Sequence, residues 1–250
     1  MSPRLFVGLL WVAVAIVALA MPARADAPTQ LYTLAGSDAF QLDARHVQTL
    51  MTYEGTQILT CQALAGETRF HATVTYRQHD GSESTLGHAA YALRMTPAGQ
   101  ISDEENADPD YLTILNQPFS VQLDRPTMRD LHALARPVPF DFPSPMTGTP
   151  LHGSLRRLLD RTFNGVRVLG IAFSAHGPLA GTLPDRPTLA VSGTITMNGT
   201  AYYAYTNALL LALDATLLIE GKVGGPTASD TVTIRYKRSI RPATVERRGR

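Results

Sequence analysis

Apolar and polar residues alternate one for one along much of this chain, and only a half-buried β-strand needs that spacing. In residues 68–77, Phe70, Ala72, Val74 and Tyr76 point one way while Arg69, His71, Thr73, Thr75 and Arg77 point the other. Val47, Met51 and Tyr53 share a side of 45–53, then Leu59, Cys61 and Ala63 repeat the pattern, as do Ala89, Tyr91, Leu93 and Met95. Glu54-Gly55, Ala65-Gly66 and Asp80-Gly81 read as the turns between these runs, because glycine reaches backbone angles closed to other residues. Residues 41–96 are therefore expected to form an antiparallel meander.

The C-terminal half follows the same rule. Residues 166–175 are apolar on both sides, as a central strand would be. Leu189, Val191, Ile195 and Met197 alternate with Thr188, Ser192, Thr194 and Thr196. Asn198-Gly199 then predicts a tight hairpin, with Ala201, Tyr203 and Tyr205 on the return. Residues 208–219 suit a helix through Leu210, Leu213 and Leu217, or a strand through Leu209, Leu211, Leu213, Leu217 and Ile219. Thr216 and the Glu220-Gly221 end favour strand. Val232, Ile234 and Tyr236 mark the last one.

Between the halves the alternation stops. Residues 103–110 form an acidic run with Pro109, and Phe119, Val121 and Leu123 suggest a short strand. Thr127 to Asp130 resembles a helix start, with Leu131 and Leu134 at helical spacing and Pro137 as the stop. Five prolines fall between 137 and 150, a stiff, extended stretch unable to join a central strand. Ser154, Leu155, Leu158 and Leu159 suggest another short helix, with a strand as the alternative. The expected class is α+β, mainly β: a curved antiparallel sheet or half-barrel with two or three short helices.

The N-terminus has a different character. Arg4 precedes an uncharged apolar run from Leu5 to Ala20, then Pro22 and Ala23-Arg24-Ala25. A basic head, an apolar stretch and an A-x-A site make a secretory signal peptide, expected to be cleaved after Ala25. Residues 1–25 are thus read as a leader, 26–238 as one β-rich domain, and 239–250 as a basic, flexible tail. Localisation is expected to be periplasmic or secreted. Removing Arg4 and Arg24 leaves 20 basic against 21 acidic residues, which gives no general attraction to nucleic acid. The exception is the end of the chain, where Lys237, Arg238, Arg241, Arg247, Arg248 and Arg250 face a single acid, Glu246. Such an arm is suited to peripheral contact with an anionic membrane.

Chemistry is thinly marked. Seven histidines show neither H-x-H nor H-E-x-x-H spacing, so no metal ligands are assigned. His71 and His88 are expected on adjacent strands. The single cysteine, Cys61, sits at an apolar position and reads as a small buried hydrophobe. Ser174 and His176, or His152 and Ser154, can share a strand face, but the sequence shows no third, orienting group. No catalytic residue and no cofactor are assigned. The apolar stretches from 188 to 219 are more informative. On a curved sheet they would line a lipophilic cavity, with Leu189, Val191, Ile195, Met197, Tyr203, Phe140 and Phe142 as the candidate lining. The reading is a non-catalytic binding or carrier protein for a lipophilic ligand or a lipoprotein. Alternatives are an envelope protein that holds a partner through a sheet edge or the 137–150 segment, and a hydrolase.

The leader, the 41–96 meander, short helices near 128–135 and 155–160 and a long hairpin around Asn198-Gly199 together resemble exported bacterial proteins of unknown function with a half-barrel fold, like the lipoprotein-localisation factors. The resemblance implies lipid or lipoprotein handling and transfers no functional residue.

Overall fold

The computed structural model describes residues 29–42, 46–106, 123–134, 136–142, 150–183, 186–225 and 229–243. The expected leader therefore lies outside the described residues, as do Phe119, Val121 and positions 244–250 of the expected tail.

The mainly β class is borne out. Described residues form twelve strands: β1 (Thr29–Leu42), β2 (His46–Leu64), β3 (Glu67–Asp80), β4 (Glu83–Met95), β5 (Ile101–Asn106), β6 (Val138–Phe142), β7 (Leu151–Arg157), β8 (Arg161–Phe163), β9 (Val166–Leu183), β10 (Arg186–Ala204), β11 (Leu210–Gly224) and β12 (Ser229–Pro242). Among these residues there is one helix, α1 (Arg125–Ala133), not two or three. All strands join one antiparallel sheet in the order β5-β4-β3-β2-β1-β12-β11-β10-β9-β7-β6, with β8 beside β9. Neighbours in sequence are neighbours in space, and β12 returns to pair with β1. Only β5 and β6 end the sheet.

Inward positions are apolar and outward ones polar on nearly every strand. On β10, Val191, Ile195 and Met197 are buried while Ser192, Thr194, Thr196 and Asn198 are exposed. β3 buries Phe70, Ala72 and Val74 and exposes His71, Thr73, Thr75 and Arg77. Strands lie about 4.8 Å apart, so a flat sheet of this width would hold β3 and β10 far from each other. Both nevertheless bury their inward side chains, and Phe70 of β3 and Leu209 from the turn after β10 line one cavity, so the sheet curves toward itself.

Two glycines show how it bends. Gly199 lies in mid-β10 opposite Phe173, and a Cβ there would stand 2.6 Å from the Phe173 ring. Gly55 lies in mid-β2 opposite Tyr76, where a Cβ would meet the Tyr76 Cβ at 2.9 Å. At Gly199 the Phe173 ring folds over the cross-strand glycine, which allows tight local curvature, and at Gly55 the partner strand itself approaches closely. Neither glycine is a turn, so the expected turns at Glu54-Gly55 and Asn198-Gly199 are corrected. The real β10–β11 turn is at 205–209, where Ala208 takes φ 60° and Asn207 Oδ1 accepts from the Leu209 amide at 3.1 Å. Gly66 and Gly81, with φ of 83° and 58°, do turn the chain where expected. Gly199→Ala is expected to cost about 1–3 kcal/mol by overpacking. Gly181→Ala, with open space around it, should stay within about 0.5 kcal/mol. Urea denaturation of both variants measures the difference.

Three further expectations change. Residues 151–157 form a strand, because Leu151 and Leu155 face in at an even spacing, while Leu159 is 89% exposed. The helix starts earlier than Thr127: Asp124 caps it, accepting from the Thr127 amide at 2.8 Å, and Pro126 occupies the first turn, where no amide partner is needed. The tail boundary at 238 also moves. β12 continues to Pro242, so Arg238 and Arg241 belong to the sheet. Of residues 208–219, 210–219 resolve as strand, in β11, and 208–209 belong to the turn before it. The acidic run begins as β5, paired with β4 through Asp103, Glu104 and Glu105. β6 ends the sheet carrying Pro139, in keeping with a proline-rich segment that cannot be central.

Candidate functional site

The end of the sheet nearest α1 carries an accessible concavity. There β1 and β3 begin and β2 and β4 end, leaving inward-facing Gln30, Cys61, Ala63, Phe70 and Met95 around an opening. Leu209 from the β10–β11 turn and Arg125 from α1 complete the rim of a cavity of about 380 Å³. Burial pushes the Cys61 thiol pKa up. Protonated and half-buried, the thiol is a neutral wall of the cavity and a poor nucleophile.

α1 is strapped across this opening. The Arg125 amide donates to Ala98 O at 2.5 Å, Gln100 Nε2 donates to Asp124 Oδ2 at 3.1 Å, and Arg125 Nη2 donates to Thr206 O at 2.8 Å. At the other end Arg157 Nη1 donates to His132 O at 2.9 Å. The helix thus links the β4–β5 turn, the β10–β11 turn and β7, while Met128 and Leu131 enter the core. Burial disfavours charge on the Asp124 carboxyl, but hydrogen bonds from Thr127 and Gln100 outweigh it and hold the pKa below the usual range.

On the outer side of the helix, Arg125, Pro126, Met128, Arg129, His132 and Tyr205 line a second cavity of about 620 Å³. Tyr205 is positioned from behind. Its hydroxyl donates to Asp160 Oδ2 at 2.9 Å, and the His132 ring meets it edge-on at 5.9 Å. Asp160 also takes Arg157 at 3.2 Å and Arg167 at 2.9 Å. Burial works against its charge, yet these donors keep its pKa lowered.

Among the described residues, one pair of charged side chains is buried. Arg238 and Asp38, both buried, meet at 2.5 Å. Tyr53 Oη donates to Asp38 Oδ2 at 3.0 Å. Arg238 lies 5.6 Å above the Tyr53 ring and 5.5 Å above that of Tyr236. Gly36, opposite Arg238 in the register, leaves room for it: a Cβ there would come within 3.4 Å of the guanidinium. Burial and the neighbouring carboxylate raise the Tyr53 pKa.

The candidate lining residues take varied places. Val191, Ile195, Met197 and Tyr203 face the interior and are buried. Phe142 is fully buried 5.7 Å from the Phe173 ring, and half-buried Phe140 packs on Phe142 at 4.8 Å. Leu189 belongs to β10, but its side chain lies outside the described residues. None of the seven is on the rim of the open cavity. The rim residues Cys61, Ala63, Phe70 and Met95 carried a legible signal, since each stands on the apolar side of its strand. Arg125 and Leu209 carried none, because a helix and a distant turn bring them there.

The paired serines and histidines fall on the outer face. Ser154 is opposite Ser174, and His152 is opposite His176. His152 Nδ1 lies 2.8 Å from Asp141 Oδ1, with both side chains more than 60% exposed. An orienting acid is therefore present, but on an open surface without a cavity that excludes water, which acyl-transfer chemistry needs. His71 and His88 are not opposite each other; His71 faces Ala92, and His88 faces Thr75. Among the described residues no three His, Cys, Asp or Glu side chains gather as metal ligands. No helix among them is long and apolar enough to cross a membrane.

Comparison with known proteins adds little to this geometry. No family model matches the chain, and no curated protein matches it. Among solved structures, one described for lipid–protein interactions in lipovitellin aligns with TM-score 0.45 and 9% identity. It covers 86% of this chain, which spans 25% of the lipovitellin chain. The β domain of the Bordetella autotransporter BrkA aligns over 86% of this chain and 99% of its own, with TM-score 0.27 and 9% identity. Neither likeness bears on what the chain does.

Proposed function

We propose that this is an exported, non-catalytic carrier that takes a lipophilic ligand against the inner face of its sheet. The observation that carries the reading is the sidedness of the sheet. Its inner face is apolar and is reached through the cavity at Phe70, Met95 and Leu209, whereas its outer face carries Thr, Ser, His and Arg. A barrel spanning an outer membrane needs the opposite arrangement, with apolar residues facing lipid. A polar outer face and an apolar inner face with an opening of about 380 Å³ are what carrying a hydrophobic molecule through water requires.

Export is part of the proposal and rests on the form of residues 1–25. The decisive experiment expresses the full chain in a bacterium with a periplasm, purifies it without detergent and extracts it with organic solvent. A mass beginning at Asp26 and a stoichiometric extractable lipid are expected, with uptake of a fluorescent fatty acid afterwards. Ala63→Trp, which fills the rim from an exposed position, should reduce that uptake at least about tenfold while leaving the urea midpoint near the wild-type value. A clean extract together with no uptake overturns the carrier reading, and an intact leader overturns export.

A further inference from the structure

The geometry points to an anionic amphiphile as the ligand class, with its chain in the cavity at Phe70 and its charged head on Arg125. This rests on the carrier reading and specifies what that reading leaves open. Arg125 is the one side chain that lines both cavities at the α1 end. On one side of it the walls are Cys61, Phe70, Met95 and Leu209, with neutral polar groups between them. On the other side are Ala98, Pro126, Met128, Arg129, His132 and the Tyr205 ring. A molecule lying across Arg125 would therefore meet that guanidinium between two largely apolar walls, with Arg129 as the second cation.

The charge balance supports the head-group assignment. Among the described residues no acidic side chain lines either cavity. Of the described acids nearby, Asp124 caps the helix and takes Gln100 and Asp160 holds Tyr205, Arg157 and Arg167. Exposed Asp130, 4.0 Å from Arg129, offsets that neighbour's charge and leaves Arg125 as the cation without a carboxylate partner among the described residues. Arg125 makes its side-chain hydrogen bond to a neutral carbonyl, Thr206 O. That bond fixes the guanidinium at the rim and uses Nη2, leaving Nη1 and Nε to serve an anion. A planar guanidinium held in place suits carboxylate or phosphate oxygens in a two-point contact. An alcohol or ester head would gain no comparable interaction.

Three probes of equal chain length separate this inference from the carrier reading: dodecanoate, dodecyl phosphate and dodecanol, each titrated into the mature protein at neutral pH. Both anions are expected to bind at least about tenfold more tightly than dodecanol, and only the anions should weaken as salt rises. Arg125→Gln should remove the preference and leave dodecanol binding unchanged, while Arg125→Lys should restore part of it. A urea midpoint for each variant shows that the helix is still docked. Equal binding of all three probes, or a preference that survives Arg125→Gln, overturns the anionic head group and leaves the carrier standing. Binding of none of them removes both. Dodecyl phosphate competing no better than inorganic phosphate would show an anion site without a lipid chain, and would also overturn the inference.

Discussion

Replacing Arg238 with methionine is expected to destabilise the fold by about 3–5 kcal/mol, because it leaves the Asp38 carboxylate buried without its counter-ion. Asp38 and Arg238 are 6% and 5% exposed, so water offers little compensation. Tyr53 supplies one hydrogen bond to the carboxylate, too few donors to hold a buried charge alone. Asp38→Leu combined with Arg238→Met should behave quite differently. With both charges gone, their desolvation cost goes too, and the double variant should lie within about 1–2 kcal/mol of wild type, on either side. Urea denaturation of the two single variants and the double one gives the coupling between them. A single variant that loses less than about 1 kcal/mol would mean that the pair is more hydrated than its burial indicates.

This ion pair also shows what the sequence concealed. In the sequence, Arg238 and Arg241 sit in a basic terminal run, and a run of like charges reads as solvated. In the fold Arg238 takes an inward position on β12, and Arg241 reaches Asp214 on the neighbouring strand. Partners 200 residues apart in the chain leave no local trace. Sidedness, by contrast, was legible, because a strand with one wet face must repeat every second residue. Phe70, Ala72 and Val74, and likewise Val191, Ile195 and Met197, lie on the buried side that the alternation assigned to them.

Glycine was the ambiguous letter. Gly66 and Gly81 turn the chain through positive φ, whereas Gly55 and Gly199 lie in extended strands opposite Tyr76 and Phe173. The same residue type serves both purposes, because missing a Cβ widens the allowed angles and also clears space. What separates them is the aromatic partner on the next strand, Tyr76 or Phe173, and the pairing register is not written in either strand alone. The candidate site shares this difficulty. Its apolar wall comes from strand alternation and could be read. Its closure depends on a short helix meeting two turns, through Ala98 and Thr206, and no periodicity announces that meeting.

That helix provides the second large effect. Leu131→Ala should cost about 2–5 kcal/mol, since Leu131 is fully buried and its removal leaves a cavity that the surrounding strands can only partly fill. Leu134→Ala, one turn on and 38% exposed, should stay within about 0.5 kcal/mol. The loss at Leu131 should also be local in its consequences. α1 has nine residues, too few to persist without tertiary contacts. It is held by Met128 and Leu131 on one face and by side-chain or backbone bonds at its two ends. Weakening the apolar contact should let the helix open while the sheet stays folded. Hydrogen exchange in Leu131→Ala is therefore expected to accelerate across Met128 to Leu134 and in the Thr96–Gln100 turn, with β9 to β11 protected as in wild type. Because Arg125 rides on the helix and Phe70 and Met95 do not, the same variant should lose anion preference sooner than it loses affinity for an uncharged chain. Uniform acceleration through the sheet would show instead that α1 and the strands fold as one unit, and that the opening has no independently movable wall.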